Sequence, residues 1–551
     1  MVNKNNKNII CLFRKDLRVT DNPALHNAVK EGKIIPIYVY DYEESKDENY
    51  YPIDENYNFY EKNIGEASKL WLHFSLNNLN KSLCNNLILA TGKIIEVIKY
   101  INESLIRIDE LFLNLDFTNL EKDKEIKHFL EEKLNIRVRS FNSSLLFDPR
   151  DILKEDGTPY KVFTPFYRKG CFKHEKQPRK PLPRINHNEI NFHEKINTIK
   201  NKPITIKEIN ISFTNVEGLK LIDQKYNWQE KILNNWQLPD KIENKQDTIL
   251  ASEVGAVARL EQFIKNGLDK YKDERNIPCK EYSTSKMSPF LAFGQISPNQ
   301  IIDIISNYEN SNRNKTNNHE PNNHEHIENI NCIKLISLDK NIDHFYSELG
   351  WREFSYNLIH HNPSLYHKNL QKKFDNFPWR NCKKSEEDFE AWKKGKTGIP
   401  IVDAGMRELW DTGFMHNRTR MICASFLIKN LRIDWRKGQR WFFNCLLDAD
   451  AANNSASWQW VAGSGADAAP YFRIFNPVTQ AEKFDPEGKY IKKWVPELKN
   501  ISTPKLFNPS GTSKNNLLDY NSNFTIGDDY PKTIVDLKKS RELALDKFKE
   551  L

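Results

Sequence analysis

The first 140 residues alternate short apolar runs with amphipathic runs, and this alternation constrains the fold more than any other feature. The apolar runs are IICLF (9–13), IIPIYVY (34–40), LILA (87–90), LFLNL (111–115) and IRVRSF (136–141). Segments of helical periodicity lie between them, such as ASKLWLHFSLNNLNKSL. This βαβ pattern is typical of a doubly wound parallel sheet covered by helices. We therefore predict an α/β domain over residues 1–146.

The rest of the chain changes character twice. Residues 147–245 are rich in Pro, Lys and Asn, which predicts a connector that wraps over other parts. From 246 to 500 nearly every segment has helical period, with Ser252 as a plausible N-cap of the first helix, so a helical domain is expected. We predict a polar, loosely packed tail over 501–551 with one late helical run.

One segment of the helical domain is too polar to bury. Residues 307–331 are low-complexity, and we predict a disordered surface insertion. Its histidines 319, 324 and 326 are better explained by a flexible polar tract than by a metal site, by roughly ten to one. No metal site is predicted.

Charge and hydropathy limit the partners and the location. The chain has 82 basic and 74 acidic residues, a net charge of +8, which favours nucleic acid as a partner by only about two to one. No stretch of about 18 apolar residues occurs, and the N-terminal apolar run is too short for a signal peptide. We expect a soluble, cytoplasmic protein without a membrane partner.

Several kinds of catalytic motif are absent. The α/β region lacks GxGxxG and GxxxxGK[ST], and the chain has no GxSxG, no HExxH and no CxxC. Its eight cysteines are scattered, as in an intracellular protein with reduced thiols. If the protein is an enzyme, a bound cofactor is expected to supply its chemistry.

The densest candidate region is 395–484. Gly413 is predicted to end one helix and Asn417 to cap the next. Arg418 and Arg420 point to different faces, and an inward guanidinium needs a carboxylate, for which Asp448 or Asp450 is available. A structural ion pair is ordinarily favoured over a functional site by about two to one.

Tryptophans crowd into the same part of the chain. Core packing is the simplest interpretation of each, although stacking on bases or on a flat cofactor is an alternative. The residues concerned are Trp379, Trp410, Trp435, Trp441, Trp458 and Trp460.

Five long motifs, in this order, resemble the DNA photolyase and cryptochrome family. They are LFRKDLRVTDNPAL (12–25), YKVFTPFYR (160–168), TSKMSPFLAFGQISP (284–298), GWREFSYNLI (350–359) and AEKFD (481–485). Within the family the chain resembles the bacterial-type, class I photolyases of cyclobutane pyrimidine dimers. The resemblance implies an α/β antenna domain and a helical domain that holds FAD noncovalently. It also implies a monomer that binds dimer-containing DNA and, under blue light, passes an electron from reduced flavin to the dimer.

The resemblance carries FAD contacts over to named residues, and Asn454 matches the position beside the flavin central-ring nitrogen. A neutral amide there avoids repelling an anionic reduced flavin. Residues 284–288 form a loop rich in Ser and Thr hydroxyls, here called the hydroxyl loop. Without the resemblance, a simple helix cap is a better interpretation of this loop than a cofactor contact. The implied cofactor residues are Tyr271, Thr284, Ser285, Met287, Ser288, Phe345, Arg352, Asn417, Arg420, Asp448, Asp450 and Asn454.

The resemblance also implies an electron chain and a lesion pocket. Trp458, Trp435 and Trp379 match, in that outward order, the chain that photoreduces the flavin. Glu348 matches a residue that hydrogen-bonds or protonates the dimer, while two indoles flank it. The implied lesion and DNA residues are Arg275, Glu348, Trp351, Asn417, Met421, Trp460 and Gln480.

The sequence leaves open which branch of the family the chain belongs to and which antenna chromophore it binds. Asn417 and Met421 stand where 6-4 photolyases carry histidines, which favours dimer repair. A cryptochrome-like blue-light photoreceptor without repair activity is the main alternative, and a nucleic-acid-binding protein without cofactor is a distant one. Residues 114–123 fit the family's antenna-contact segment poorly, so folate, deazaflavin or no second chromophore stay open.

Overall fold

The computed structural model describes most of the chain. The described residues are 7–41, 64–171, 177–200, 205–206, 211–222, 228–236, 251–317, 340–467, 473–511 and 524–551.

Five neighbouring parallel strands form most of a sheet in the first part of the chain. They are β1 (Lys7–Phe13), β2 (Gly32–Tyr40), β3 (Ile88–Thr91), β4 (Glu110–Asn114) and β5 (Arg137–Phe141). Strand β1 pairs in parallel with both β2 and β4, so the strand order reverses beside it. The predicted doubly wound sheet is confirmed, because near-continuous apolar strands are buried on both faces.

The sheet is larger than the sequence analysis predicted. Strands β6 (Thr205–Ile206) and β7 (Ile211–Thr214) extend it, and β7 pairs antiparallel with β3. The strand order is β5-β4-β1-β2-β3-β7-β6. Part of the predicted connector is therefore an edge of the sheet, since Ile211 and Phe213 are buried against the helix-covered face.

The helices that accompany the strands begin where the sequence supplies caps. Helix α1 starts after Asn22, whose side chain accepts from Leu25 N, and α4 starts after Asn119 in the same way. The helices of this part are α1 (Pro23–Ala28), α2 (Glu66–Ser82), α3 (Ile94–Tyr100), α4 (Leu120–Leu134), α5 (Phe163–Pro165), α6 (Ile196–Lys200) and α7 (Trp228–Asn235).

From Ser252 onward, the named elements of the described residues are helices, and Ser252 caps the first of them as predicted. They are α8 (Glu253–Asn266), α9 (Tyr271–Glu274), α10 (Ser288–Ala292), α11 (Pro298–Asn317), α12 (Lys340–His361), α13 (Lys383–Lys393), α14 (Pro400–Thr412), α15 (Asn417–Ser425), α16 (Trp435–Cys445), α17 (Ala451–Ala462), α18 (Pro477–Phe484), α19 (Lys489–Trp494) and α20 (Leu537–Lys549). Within the described ranges, no helix combines the length and the apolar character needed to cross a bilayer.

Buried polar contacts join the sheet to the helical part. Arg18 is fully buried and donates to the carbonyls of Gly294, Asp21 and Ser143. Trp71 of α2 donates its indole N–H to Gln295. These contacts place the carboxyl ends of the strands against the loop before α11 and against α12.

Two predictions about polar segments need correction. Helix α11 continues to Asn317, so residues 307–317 are helical rather than disordered, while residues 318–331 and their histidines lie outside the described residues. The tail is packed more closely than predicted. Tyr530 is fully buried and donates to Asp403, and Ala544 of α20 packs beside Phe374.

Candidate functional site

Asp448 is the point where three segments of the helical part converge. Its Oδ2 atom accepts from Arg420 of α15 at 2.8 Å and from the Ser288 hydroxyl at the start of α10 at 2.6 Å. The predicted pairing of Arg420 with one of the two aspartates is confirmed. The buried Oδ1 atom has no hydrogen-bond partner among the described residues, so a donor from a ligand would satisfy it.

Arg418 and Arg420 diverge as the sequence predicted. Arg418 has an amide partner, because its Nη2 atom lies 2.7 Å from Asn276 Oδ1, and its guanidinium lies 4.4 Å from the ring centroid of Phe484. This arginine keeps its positive charge at the edge of the site, where a phosphate would be a suitable ligand.

The cap of α15 differs from the prediction. Asn417 is the first helical residue and is exposed, whereas His416 caps the helix by accepting from Arg418 N at its Nδ1 atom. Burial and the neighbouring Arg418 and Arg420 lower the pKa of His416 to about 3. The neutral ring therefore carries its hydrogen on Nε2, and this buried donor has no partner among the described residues.

The hydroxyl loop 284–288 leads into α10. Lys286 has a positive φ of 54°, so the backbone turns sharply before Ser288 begins the helix. Met287 is buried, while Ser285 Oγ accepts weakly from Met287 N. Thr284 is half-buried in the same loop.

The rings of Tyr271 and Phe345 pack together and form an aromatic wall. Their ring centroids lie 5.5 Å apart in an edge-on contact, and Phe263 of α8 contacts both rings. Burial raises the pKa of Tyr271 well above its usual range, so its hydroxyl stays protonated. The wall can pack against a flat or apolar group and offers one hydroxyl.

Asp450 and Asn454 occupy the first turns of α17. Asp450 caps this helix through Asn453 N, and its other oxygen accepts from Tyr356 at 2.5 Å. Asn454 donates through Nδ2 to the carbonyl of Gln439 at 2.9 Å. This bond orients the amide and leaves the Asn454 Oδ1 atom for a ligand.

Arg352 does not join the Asp448 cluster. Its Nη1 atom donates to the Ser144 carbonyl at 2.7 Å, and its guanidinium lies over the Tyr356 ring. Its link to the site passes through Tyr356, which binds Asp450. Arg352 therefore lies between Ser144, which follows the sheet, and the Tyr356–Asp450 pair.

Trp458 and Trp435 are buried on two packed helices. A Cβ atom on Gly438 would lie 2.2 Å from the Trp458 ring, so only glycine allows α16 to approach α17 this closely. Trp435 lies one turn before Gly438, and its indole donates to Asn369 Oδ1 at 3.0 Å. The structure places these two indoles in adjoining parts of one core.

Trp379 lies nearer the surface. It is partly buried, and its ring centroid lies 4.4 Å from that of Phe377. The next residue, Arg380, is tied to the segment before α16 through the carbonyls of Leu431 and Arg432. The outer position of Trp379 in an electron chain stays a prediction.

The predicted lesion residues lie on or next to several helices, and all of them except the exposed Asn417 are partly buried. Trp351 stacks on Phe163 with centroids 3.8 Å apart and planes 8° apart, so one indole face is covered. Trp460 donates its indole N–H to the Asp467 carbonyl at 3.1 Å. Met421 and Gln480 are half-buried on α15 and α18.

Glu348 and Arg275 form an ion pair at this face, with Arg275 Nη2 2.5 Å from the Glu348 carboxylate. Burial raises the pKa of Glu348, and the charge of Arg275 opposes that rise. The two residues were predicted to contact the lesion and the DNA, but without a ligand they contact each other.

Sequence reasoning missed several residues of the site. Tyr356 lies four residues after Arg352 on α12, so helical spacing could have found it. No sequence pattern identifies His416 or Gln439. His416 acts as a buried helix cap and the Gln439 carbonyl accepts from Asn454, and both roles depend on the packing. Trp392 is fully buried, and its ring centroid lies 6.4 Å from that of Trp458.

A concave region lies at the carboxyl ends of β1 and β4, where the strand order reverses. Such crevices bind ligands in many doubly wound folds. Here the cavity volume is about 20 Å³, which is room for about one water molecule. Residues from both parts line it, including Asp16, Asn114, Asp116, Arg352 and Tyr356.

Comparisons with known proteins agree with the two parts of the fold. Residues 9–186 match the family model described as DNA photolyase, and residues 345–550 match the FAD binding domain of DNA photolyase. These matches define a flavin-binding protein with an α/β part and a helical part. The chain belongs to the DNA photolyase and cryptochrome family.

The relatives span both branches of the family. The chain is 37% identical to the deoxyribodipyrimidine photo-lyase of Agrobacterium fabrum over 98% of this chain and 96% of that protein. It is 30% identical to cryptochrome-2 of Arabidopsis thaliana over 98% of this chain and 78% of that protein.

A solved structure covers nearly the whole fold. The bacterial class III photolyase from Agrobacterium tumefaciens is 35% identical, with a TM-score of 0.79, and the match covers 99% of this chain and 98% of that one. The sequence motifs resemble class I photolyases, whereas this solved structure is a class III photolyase. The motifs and the comparisons therefore agree on the family, and the class is not decided.

Proposed function

We propose that this protein repairs cyclobutane pyrimidine dimers in DNA by light-driven electron transfer from noncovalently bound, reduced FAD. The observation that carries the proposal is that flavin-side and lesion-side residues share helices. Helix α15 bears Arg420 beside Asp448 and also bears Met421, and α17 bears Asn454 and Trp460. A cofactor that binds one side of these helices would lie next to a pyrimidine dimer that binds their other side.

The donor set of the site suits the cofactor. Asp448 offers a buried, unpartnered oxygen, His416 offers a buried N–H, and the loop before α10 offers hydroxyls. Dinucleotides present hydroxyls and phosphates that match such donors and acceptors. When bound, reduced FAD supplies the electron on illumination, and the residues supply orientation, exclusion of water and protons.

On the lesion side, the protein's own residues bind and position a flipped-out dimer. Trp351 has one face packed on Phe163, so the indole is rigid and its other face is directed away from that contact. Glu348 lies one turn before Arg352 on the same helix and can hydrogen-bond a pyrimidine edge. Arg418 and Arg275 supply positive charge for the backbone phosphates.

The second candidate is a blue-light photoreceptor without repair activity. The observation that favours it is the 30% identity to a cryptochrome over almost the whole chain. Both candidates bind FAD, so flavin content does not separate them. Only the repair proposal requires the Glu348, Trp351 and Trp460 face to bind a dimer.

A repair assay decides between the two. The reduced protein is mixed with an oligonucleotide duplex that contains one thymine dimer, and the dimer is counted by chromatography before and after blue light. We expect light-dependent loss of the dimer and recovery of intact thymines. Persistence of the dimer in illuminated, flavin-loaded protein would refute the repair proposal and leave the photoreceptor.

Glu348→Ala tests the lesion side separately. We expect a lower repair yield with unchanged flavin content, because Glu348 is proposed to contact the lesion and its partner in the structure is Arg275 rather than Asp448 or Arg420. The flavin-to-protein absorbance ratio and the repair yield are measured on the same sample. Arg168→Gln, which breaks a different ion pair of α12 with Asp343, is the matched control. Loss of flavin in Glu348→Ala would show that the residue is misplaced.

A further inference from the structure

Arg275 and Glu348 bind each other at the mouth of the proposed lesion site. The Nη2 atom of Arg275 lies 2.5 Å from the Glu348 carboxylate, and the two side chains are 21% and 32% exposed. Arg275 directly follows α9, and its guanidinium lies 5.5 Å from the Tyr271 ring centroid. A half-buried side chain that is held by one ion pair and a ring contact can exchange partners.

Four groups around this pair, Tyr271, His344, His416 and Arg418, carry positive charge or none, whereas the carboxylate of Asp343, which acts on His344, pairs with Arg168. Tyr271 lies on α9 and stays protonated, and His344 lies one turn earlier than Glu348 on α12. From α15, the neutral His416 and the charged Arg418 face the pair. Burial disfavours the negative charge of Glu348, and the cation of Arg275 is the group that favours it.

A DNA phosphate competes well for this arginine. Guanidinium groups bind phosphate through two parallel charge-assisted hydrogen bonds, and the polyanionic duplex attracts them over long distances. Arg418 already lies nearby with an amide partner, so a phosphate that enters would find two guanidinium groups. The carboxylate that Arg275 leaves would then be buried under the bound bases without its counter-ion.

We infer that a backbone phosphate of damaged DNA takes Arg275 from Glu348, and that Glu348 then takes up a proton and meets the dimer as a neutral carboxylic acid. This inference rests on the proposed repair function. Arg275 keeps its charge and exchanges one anion for another. One proton passes from the buffer to Glu348, and no electron moves in this step.

The exchange has a chemical advantage. A carboxylic acid can donate its O–H hydrogen to a pyrimidine carbonyl, whereas a carboxylate only accepts. A buried carboxylate would also repel negative charge that develops on the dimer. Burial already raises the pKa of Glu348 against the effect of Arg275, so loss of that cation raises it further. Arg275 is thus a positioning residue that controls the charge of Glu348.

Proton uptake on binding is the direct test. Titration calorimetry of the flavin-loaded protein with a dimer-containing duplex, in the dark at neutral pH, is repeated in buffers of different ionisation enthalpy. The dependence of the binding enthalpy on that quantity counts the protons taken up. We expect an uptake of between about half a proton and one proton per wild-type complex.

Three variants show whether Glu348 is the acceptor. In Glu348→Gln the uptake should vanish, and in Arg275→Gln it should fall strongly because Glu348 is already protonated before DNA binds. Arg168→Gln should keep the wild-type value, since it breaks an ion pair of α12 outside the site. Binding without uptake in the wild type, or uptake that persists in Glu348→Gln, would overturn the inference.

An infrared difference measurement detects protonation of Glu348 directly and does not require the Arg275→Gln variant. Binding of the duplex to wild-type protein should create a carbonyl band of a protonated carboxyl group that is missing in Glu348→Gln. If dimers are repaired but neither proton uptake nor this band appears, the inference fails and the repair proposal stands. If the dimer-containing duplex is neither bound nor repaired, the proposed function itself fails.

Discussion

The cavity region beside the sheet and the Asp448 site of the helical part pair their buried aspartates differently. At the carboxyl ends of β1 and β4, Asn114 donates to both Asp16 and Asn22, and Arg14 pairs with Asp123. In the helical part, Asp448 keeps one buried oxygen without a partner among the described residues, and His416 keeps a buried N–H in the same condition.

The difference teaches how to separate a structural network from a binding site. Both regions contain buried aspartate–arginine pairs, so an ion pair alone identifies neither. Leaving a buried donor or acceptor unpaired costs about 1–3 kcal/mol, which a bound ligand can recover. Both oxygens of Asp123 accept hydrogen bonds, from Arg14 and from Asp116 N, whereas one oxygen of Asp448 has no partner among the described residues and marks the candidate ligand site. Unpaired buried atoms occur beside the sheet as well, at Arg14 Nε and Ser143 Oγ.

The largest effect is expected from Asp448→Asn. This change removes the carboxylate charge that Arg420 and Ser288 bind, and we expect flavin affinity to fall roughly a hundredfold, equivalent to about 2.7 kcal/mol. The flavin-to-protein ratio after gel filtration measures it.

Asp123→Asn is the matched control, because Asp123 is equally buried and pairs with Arg14 beside the sheet. It should lower the unfolding temperature and leave the flavin content of the folded protein unchanged. Equal loss of flavin in both variants would abolish the distinction between the two regions.

Two carboxylates should give opposite pH dependence of stability. Burial raises the pKa of Glu353 to about 7, against the opposing charge of Arg352 and the N–H groups of Leu146 and Phe147. The folded state then holds a proton that the unfolded state has released, so stability is lost as pH rises from about 4.5 to 7, by about 3 kcal/mol. Glu353→Gln should flatten the fall of unfolding temperature over this range.

Asp116 behaves in the opposite sense. Burial alone would raise its pKa, but Lys15, Arg14 and hydrogen bonds from Thr118 lower the pKa to about 2. Its contribution of about 2 kcal/mol is present above pH 3.8 and is lost as pH falls toward 2. Asp116→Asn should flatten the fall of unfolding temperature between about pH 3.8 and 2, the acid limb, and leave the range above pH 4.5 unchanged. An acid limb unchanged by the substitution would contradict the assignment.

A smaller, purely kinetic effect is expected from Trp435→Phe. Photoreduction of oxidised flavin should slow by about tenfold, equivalent to about 1.4 kcal/mol in the barrier, while repair by pre-reduced protein stays nearly unchanged. Transient absorption after a blue flash measures the first quantity, and the repair yield measures the second.

Trp71→Phe provides the comparison from the other region. Trp71 is also buried and also donates its indole N–H to an amide oxygen, that of Gln295. This variant should lose stability without slowing photoreduction. If both variants slow photoreduction equally, Trp435 has no special place in an electron chain.

Local patterns predicted much of the fold and part of the site. The period of apolar residues predicted the strands and helices, because burial on one or both faces requires it. Ser252 and Gly413 were correctly predicted as helix ends, since caps depend on the backbone groups next to them. The Arg420 pair was predicted because a buried guanidinium needs a carboxylate.

Other features could not be predicted in this way. Strand β7 joins the sheet only because Phe213 and Ile211 find an apolar surface beside β3. Helix α11 extends through a polar segment that composition alone assigned to disorder. The tail is packed through Tyr530, whose partner Asp403 lies 127 residues away.

The sequence by itself determined the element types, the family and the chemical groups available for a site, since these follow from residue identity and short-range spacing. Only the tertiary structure decided which groups are paired. Arg275 and Glu348 lie 73 positions apart yet share an ion pair, and His416 displaces Asn417 as a cap. Pairing depends on distances of a few ångströms between distant segments, and packing sets those distances.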